Sequence, residues 1–457
     1  MSQTEAAPRI KLAEKSGFMA FSGSINIVYQ FKSVYYLFFL TEVAGISMDM
    51  AGLIVTIGIV WDAINDPLIG FWAVNRKFKN GETSRPFALW HTVPWAITLV
   101  LLFTNFNATM NLKVIIAIVV YILFEVFNTT VSLPYNSMAG LATSLDADRR
   151  SINIFRNLGA CLGSGIGAIA CLPLLKLFGG LNNDGNLTDS SDIGFFAVSI
   201  VMGVIIVIGG IIHYFTTKER VKQRSSDDKG LSFKQVALML VKTRSWRINM
   251  IYIICYGIIN LLLMTVLAYY ATYVMGNTGA AMMIQAAYLV TAVFSSMCVG
   301  AIDKALGRRK TMILGSIIAM LGKIWFIADP FSAGSIYLNA ITVGMSVTVA
   351  FVLFNTNRNN IVDIIEHRDG RRIDTMIATS DNLVSKLGEA LVALLITQSL
   401  SFAGYNAALE VQPPMVITAI NIMLGWAPLI ASAIMLVAAF VIPIEQELKE
   451  AQENRAN

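Results

Sequence analysis

The chain has 457 residues, of which 56% are hydrophobic and 14% charged, with a net charge of +5 and a mean hydropathy of +0.64. Soluble domains are nearer a quarter charged, so this balance indicates an integral membrane protein. Three histidines and four scattered cysteines argue against a haem, a zinc site, a disulfide framework and a redox enzyme.

Twelve apolar runs are long enough to be transmembrane helices, because one span needs about 20 mainly apolar residues. Short polar segments separate these runs. The predicted spans are 17–41, 48–73, 87–106, 112–139, 151–176, 193–215, 246–275, 281–302, 311–328, 334–357, 377–402 and 416–443. The sequence therefore predicts an all-α membrane protein.

Lys32 in the first span has two interpretations, which the sequence leaves open. Its ammonium group either lines an interior cavity or extends outward past two tyrosines to the membrane interface.

The second span contains WDAINDP (61–67), where acids interrupt an apolar helix. Asp62, Asn65 and Asp66 share one helix face. A charge at the bilayer centre costs at least about 2.5 to 3.5 kcal/mol, so this face should point into the protein. Two carboxylates one turn apart repel each other, which favours a bound cation or a retained proton. Oxygen ligands suit Na+, Li+ or H+; a structural salt bridge to a neighbouring helix is the alternative.

Two later spans carry polar side chains at helical spacing, which is typical of a face that lines an aqueous cavity. In span 11 the stripe surrounds Lys386, for which structural pairing is as good an interpretation as substrate contact. In span 4 it comprises Glu125, Asn128, Thr129, Ser132 and Asn136. Span 5 instead carries glycines four residues apart, at 159, 163 and 167, which predict close packing against another helix.

The polar breaks predict the topology. Basic residues concentrate after the even-numbered spans, so both termini are expected in the cytoplasm. The positive net charge then needs only anionic inner-leaflet lipid, not a nucleic-acid partner. The most strongly charged break, 216–235, divides the spans six and six. We therefore predict two halves, 1–215 and 246–443, with a linker at 216–245 and a tail at 444–457.

Two basic loops at corresponding places in the halves resemble the loop of the major facilitator superfamily. GAIDKALGRRKTMIL (300–314) closely matches its G-x-x-D-x-x-G-R-K/R pattern, whereas the loop that begins at residue 70 lacks the acid. The resemblance implies two six-helix halves with a substrate site near the membrane midplane between them. The implied gating residues are Arg76, Arg85, Asp303, Arg308 and Arg309.

WDAINDP also resembles the second span of the glycoside–pentoside–hexuronide:cation symporter family. FFLTEVAG (38–45), RPF (85–87), SLPYNSMAGL (132–141) and the region around Lys386 extend the resemblance over most of the chain. The resemblance implies a cation site formed by Asp62, Asn65, Asp66 and Thr129.

The implied sugar site is less well matched. Asn26 and Ser132 occupy positions where the family has acids that hold sugar hydroxyls, while Arg156 and Lys386 match its two bases. Tyr29 and Asn136 complete the predicted substrate contacts. Because acids are lost and bases remain, a uronide or another acidic glycoside is favoured over a neutral one.

The sequence therefore predicts a cation-coupled sugar symporter that works by alternating access in the bacterial cytoplasmic membrane. Its expected partners are a sugar or glycoside, a monovalent cation and membrane lipid, and we expect a functional monomer without a cofactor. No convergent nucleophile and base is recognisable, so an enzyme is not expected. A lipid or lysolipid transporter on the same fold is the alternative.

Overall fold

A computed structural model of the chain is helical through nearly all of the residues it describes. Those residues are 10–75, 81–82, 84–143, 145–183, 185–220, 233–369, 374–407, 409, 411–444, 446–447 and 449–450. Helices bond all of their interior backbone groups within one segment, as lipid requires of a spanning chain. The observed architecture agrees with the predicted all-α class.

Sixteen α-helices and one short π-helical segment follow each other along the described chain. The π-helical segment, Phe39–Val43, extends the first helix. The α-helices are α1 (Leu12–Phe38), α2 (Met48–Asn75), α3 (Arg85–Trp90), α4 (Thr92–Leu102), α5 (Met110–Ala142), α6 (Asp146–Ile169), α7 (Cys171–Leu177), α8 (Ser191–Thr216), α9 (Phe233–Lys242), α10 (Arg244–Tyr273), α11 (Ala280–Leu306), α12 (Arg308–Ala328), α13 (Ala333–Asp369), α14 (Asp374–Phe402), α15 (Pro414–Leu424) and α16 (Trp426–Val441).

Three of the predicted spans are each built from two helices, and proline explains each break. Pro94, Pro173 and Pro428 lack the N–H that would bond to the carbonyl four residues earlier. In each case the preceding helix ends at that earlier residue, namely Trp90, Ile169 or Leu424. The sequence analysis treated these three spans as continuous, which the structure corrects.

Nine candidate spans among the described helices are long and apolar enough to cross a membrane. A tenth results if Ser151–Ile169 and Cys171–Leu177, which are bent by 42°, form one span. The predicted spans 17–41 and 87–106 are outside this count. Polar residues such as Asn26 and Lys32 interrupt the first, and α3 and α4 are short pieces of the second. Twelve spans with cytoplasmic termini stay a prediction.

Large apolar side chains remain exposed along the helices. Phe402 is 84% exposed, Phe215 74% and Trp325 61%. Apolar surface of this extent would be unfavourable in water, but it costs nothing against lipid tails. The chain is a multi-pass membrane protein.

The chain divides into two compact units. The first contains Met1–Ser225 together with Asn277–Met282, and the second contains Ser226–Gly276 together with Met283–Asn457.

In the first unit, α1 packs along α6 and α8, and α2 packs along α5. The contact between α1 and α6 depends on the glycine stripe of α6. A Cβ added to Gly159, Gly163 or Gly167 would lie 2.1, 2.1 and 2.4 Å from backbone carbonyl oxygens of α1. The predicted close helix approach is confirmed, and α1 is its partner.

In the second unit, α12 packs on α13 and α16, and α10 packs on α13, α14 and α16. The short helix α9 lies within the predicted linker. Its Leu240 packs with Ile361, Val362 and Ile365 of α13 and with Ile377 of α14. This part of the linker therefore belongs to the second unit's core.

Gly163→Ala should lower the melting temperature of the purified protein, because its new Cβ would meet the carbonyl oxygen of Gly23 at 2.1 Å. Overpacking of this kind costs typically about 1 to 3 kcal/mol. Gly257→Ala in α10 is the matched control, since its Cβ would meet no atom within 4 Å. Equal melting temperatures for the two variants would contradict the proposed tight packing of α1 on α6.

Candidate functional site

The predicted polar faces of α2 and α5 meet inside the first unit. Asp62 is 8% exposed, Asn65 2% and Thr129 1%, whereas Asp66 is partly buried. Because the two helices lie side by side, acids separated from Thr129 by more than 60 residues reach the same place. The structure thus brings together all four residues predicted for the cation site.

Thr129 is the centre of this cluster. Its hydroxyl donates to Asp66 Oδ1 at 3.0 Å and lies 3.4 Å from Asp62 Oδ1. It accepts a hydrogen bond from Asn65 Nδ2 at 2.8 Å. One hydroxyl group therefore connects both carboxylates and the amide of α2 to α5.

The cluster has the chemistry of a small-cation site. Two carboxylates and a hydroxyl offer oxygen ligands, which hard ions such as Na+ and Li+ prefer, and the same carboxylates can take a proton. A small cation or a proton reduces the repulsion between two carboxylates held one helical turn apart. The arrangement therefore favours a monovalent cation or a proton.

A buried ion pair lies beside the cluster. Lys32 Nζ is 2.7 Å from Glu125 Oε1 and 3.2 Å from the hydroxyl of Tyr121. Asn128 Nδ2 donates to Glu125 Oε2 at 3.0 Å. Lys32 is 7% exposed and Glu125 1%. Of the two interpretations of Lys32, the structure supports the one that points inward.

The cluster and the ion pair share a hydrogen bond. Asn65 Nδ2 also donates to the backbone carbonyl of Glu125 at 3.2 Å. Sequence reasoning placed Glu125 in the polar stripe of span 4 and left Lys32 open, but it did not predict that the two residues pair. The available signal was two opposite charges in apolar spans of the same half, since such charges normally require partners.

Two predicted substrate residues, Asn26 of α1 and Arg156 of α6, lie on helices that are joined by side-chain hydrogen bonds. Ser164 of α6 donates to Asn26 Oδ1 at 3.4 Å, and Asn26 Nδ2 donates to the carbonyl of Ser22. Ser22 in turn donates to the backbone carbonyl of Arg156 at 2.8 Å. Polar groups of α1 therefore follow the face of α6 that carries Arg156.

Arg156 contacts two neighbouring residues of α5. Its Nη2 donates to Asn136 Oδ1 at 2.6 Å, and its guanidinium carbon lies 4.5 Å from the centre of the Tyr135 ring. Asn136 is exposed, and Ser132, one turn earlier, is half-buried. Tyr29 on α1 is 37% exposed. These side chains keep surface available for a ligand.

Lys386 lies on α14 in the second unit and is partly buried. Near the start of that helix, Asp381 is held by Arg358 Nε at 2.5 Å and by Trp246 Nε1 at 3.2 Å. This end of the predicted span 11 stripe is thus a structural pairing. Substrate contact by Lys386 stays a prediction.

The predicted gating residues that the structure describes are bonded to other residues of their own units. Arg85 pairs with Glu82 at 2.7 Å and donates to the carbonyl of Thr217 at 2.7 Å. Arg308 lies 3.9 Å from Asp303, and Arg309 donates to the carbonyl of Phe440. Arg76 lies outside the described residues. A gating role for these residues stays a prediction.

A further ion pair, which sequence reasoning did not find, holds the chain segment that follows α8. Arg220 pairs with Glu14 at 2.6 Å, and its backbone N–H donates to the carbonyl of Leu141 at 2.8 Å. The hydrogen bonds that Arg220 donates to the Glu14 carboxylate raise the pKa of its guanidinium. The start of the linker therefore stays attached to the ends of α1 and α5.

Comparisons with known proteins give a consistent result. A family model described as MFS/sugar transport protein matches residues 17–446. An isoprimeverose transporter of Lactiplantibacillus pentosus is 27% identical, over 94% of this chain and 90% of the relative. A putative glycoside/cation symporter, YagG, of Escherichia coli (strain K12) is 27% identical, over 93% of this chain and 90% of the relative.

Among solved structures, an inward-facing bacterial homologue of the human lysosomal transporter Spinster has a similar fold. Its TM-score is 0.71 at 15% identity, over 96% of this chain and 98% of that one. This likeness shows the major facilitator fold.

Thr129→Val should weaken stabilisation of the purified protein by Na+, Li+ or protons, because it removes the hydroxyl that connects the acids of α2 to α5. The measurement is the shift of melting temperature with cation concentration or pH. Thr129→Ser should retain the shift. Thr130→Val is the control, since that hydroxyl bonds only within its own helix in the described contacts, to the carbonyl of Phe127. A Thr129→Val protein with the full shift would exclude Thr129 from the site.

Proposed function

This chain belongs to the MFS/sugar transport family, and we propose that it carries a glycoside into the cell together with a monovalent cation. It is a transporter rather than an enzyme. The observation that carries the proposal is the cluster of Asp62, Asn65, Asp66 and Thr129, in which one hydroxyl contacts two intramembrane carboxylates. Acidic residues within membrane-spanning helices are rare, and they mark functional sites by default.

Cation binding and sugar binding should favour each other. A monovalent cation that binds between Asp62 and Asp66 holds α2 against α5, and α5 also carries Ser132 and Asn136 of the proposed sugar site. The same ordering of α5 favours both ligands, so binding of one increases the affinity for the other. Such a positive coupling free energy is typically about 1 to 3 kcal/mol. The loaded protein then exposes its ligands alternately to the two sides of the membrane.

The membrane potential supplies the driving force for accumulation. One cation that moves down 100 mV releases about 2.3 kcal/mol. At about 1.4 kcal/mol per tenfold ratio, this corresponds to roughly fiftyfold accumulation of a neutral glycoside. A uronide that enters with a single cation would move no net charge, so it would depend on the chemical gradient of that cation alone.

We further propose that the substrate carries a negative charge. Among the described residues, the contacts of the Arg156 side chain are the amide and carbonyl of Asn136 and the ring of Tyr135, and no carboxylate pairs with it. A guanidinium group is well suited to bind a carboxylate with two parallel hydrogen bonds. A uronide would provide that carboxylate, and its hydroxyls would suit Asn26, Ser132 and Asn136.

Asp62→Asn and Asp66→Asn should each abolish accumulation driven by a cation gradient in proteoliposomes, because each variant removes one of the two carboxylates that take the cation. Some binding of the sugar should remain. Asp192→Asn, at the first turn of α8, is the control and should transport normally. Gradient-driven accumulation at the wild-type level in both site variants would reject the cation site.

Arg156→Gln should weaken binding of p-nitrophenyl β-D-glucuronide by at least tenfold and binding of the matching glucoside much less, because only the uronide has a carboxylate for the guanidinium. Binding can be measured by calorimetry on purified protein. Equal losses for both ligands would indicate a neutral glycoside as substrate. Uptake of a lysolipid in place of both sugars would support the lipid transporter instead.

A further inference from the structure

We propose that the ion pair between Lys32 and Glu125 is the positioning element that transmits cation binding on α2 and α5 to the sugar-binding face of α1. The inference rests on the proposed cation–sugar symport and assigns that coupling to two residues outside both proposed ligand sites. Neither side chain needs to touch the cation or the sugar.

The ion pair is built into the interior of the first unit. Lys32 Nζ lies 2.7 Å from Glu125 Oε1, and the other carboxylate oxygen accepts from Asn128 at 3.0 Å. The rings of Tyr29, Tyr121 and Phe124 surround the ammonium group at 5.2, 4.9 and 5.6 Å from their centres. Charge, hydrogen bonds and aromatic faces together fix the position of Lys32.

On one side, the ion pair is bonded to the cation cluster. Asn65 donates both to the hydroxyl of Thr129 and to the backbone carbonyl of Glu125. Glu125 lies four residues before Thr129, so the two residues share one face of α5. A change in the hydrogen bonds of Asn65 or Thr129 therefore acts directly on the backbone that carries Glu125.

Cation binding favours such a change. The Thr129 hydroxyl donates to the aspartates and accepts from Asn65, which leaves one of its two lone pairs for a cation. A cation held by both carboxylates competes with the hydroxyl hydrogen for their oxygens. In a helix the natural new acceptor for that hydrogen is the carbonyl four residues earlier, which is that of Glu125. Asn65 occupies this carbonyl at 3.2 Å in the structure. Binding of a cation thus redistributes the hydrogen bonds at Glu125.

On the other side, the ion pair is connected to the substrate face of α1. Lys32 follows Tyr29 by three residues and Asn26 by six on the same helix. The backbone of α1 lies directly against α6, where the glycine stripe allows the closest approach. In contrast, α1 is connected to the functional face of α5 by long side chains. Lys32 bonds to Glu125, and the hydroxyl of Tyr135 donates to the carbonyl of Phe18. A shift of Glu125 therefore displaces α1 beside Tyr29.

A purely structural ion pair would behave differently from a coupling element. Replacing a buried ion pair with apolar groups of similar size is often neutral or stabilising, whereas removing one partner leaves an uncompensated charge. Removal of both charges should therefore restore stability. Removal of both charges should not restore the coupling between cation binding and sugar binding, because that coupling depends on the attraction between Lys32 on α1 and Glu125 on α5.

The test uses the full-length protein in Lys32→Met, Glu125→Gln and the double variant Lys32→Met/Glu125→Gln. For each protein, calorimetry gives the affinity for p-nitrophenyl β-D-glucuronide and for the matching glucoside, without and with saturating Na+, Li+ or low pH. The ratio of the two affinities is the coupling factor. Coupling of this kind is typically about 5- to 150-fold.

We expect each single variant to melt at a lower temperature than wild type, and the double variant to regain most of that loss. The coupling factor of the double variant should nevertheless fall by at least fivefold, or to one. A double variant with the wild-type coupling factor would overturn the proposal and make the ion pair structural. Lys323→Met is the control: it removes a buried ammonium from the second unit, where Lys323 bonds to Asn339, and should leave the coupling factor unchanged.

Asn128→Ala provides a milder variant in case the charge variants do not fold. It keeps both charges but removes the donor to Glu125 Oε2, so the coupling factor should fall at least twofold while the protein stays folded. An unchanged coupling factor in this variant would also contradict the proposal. Failure of the symport itself is distinguishable, because the coupling factor of the wild type would then already be one with every cation.

Discussion

In the first unit, the hydroxyl group of one threonine connects the acids of α2 to α5. Thr129 contacts both aspartates of α2 and accepts a hydrogen bond from the asparagine between them. The two acids lie one helical turn apart in a medium where charge is costly, so a bound cation or a proton reduces the repulsion between them. In the proposed function, a small cation bound here influences how α2 is held against α5, and hence which polar residues α5 presents.

The sequence alone predicted the part of this site that lies on one helix. Asp62, Asn65 and Asp66 have a spacing that places them on one face whatever the surroundings. Thr129 came from the family resemblance, because no local pattern shows which residue of α5 faces α2. Lys32 and Glu125 are 93 residues apart, and a lysine side chain is long enough to point inward or outward. Only the packing of the helices decides between these two directions.

The fold was predicted in its class and less well in its interruptions. Hydropathy located the apolar runs because lipid demands continuous apolar segments. It did not reveal that Pro94, Pro173 and Pro428 end a helix four residues earlier, while α5 continues through Pro134. Neighbouring helices and local adjustments can compensate a missing hydrogen bond at one proline and not at another. The glycine stripe was more informative, because glycines repeated every four residues in an apolar helix have few explanations other than close packing against another helix.

The proposed binding of the coupling cation by the carboxyl groups of Asp62 and Asp66 is tested most directly by difference infrared spectroscopy of the purified wild-type protein. Spectra are recorded while Na+, Li+ or pH is changed, with and without ¹³C-labelled aspartate. We expect at least one cation to change carboxyl bands that move with the aspartate label and are lost when both residues are replaced by asparagine. Aspartate bands that respond to none of the three cations would contradict the account.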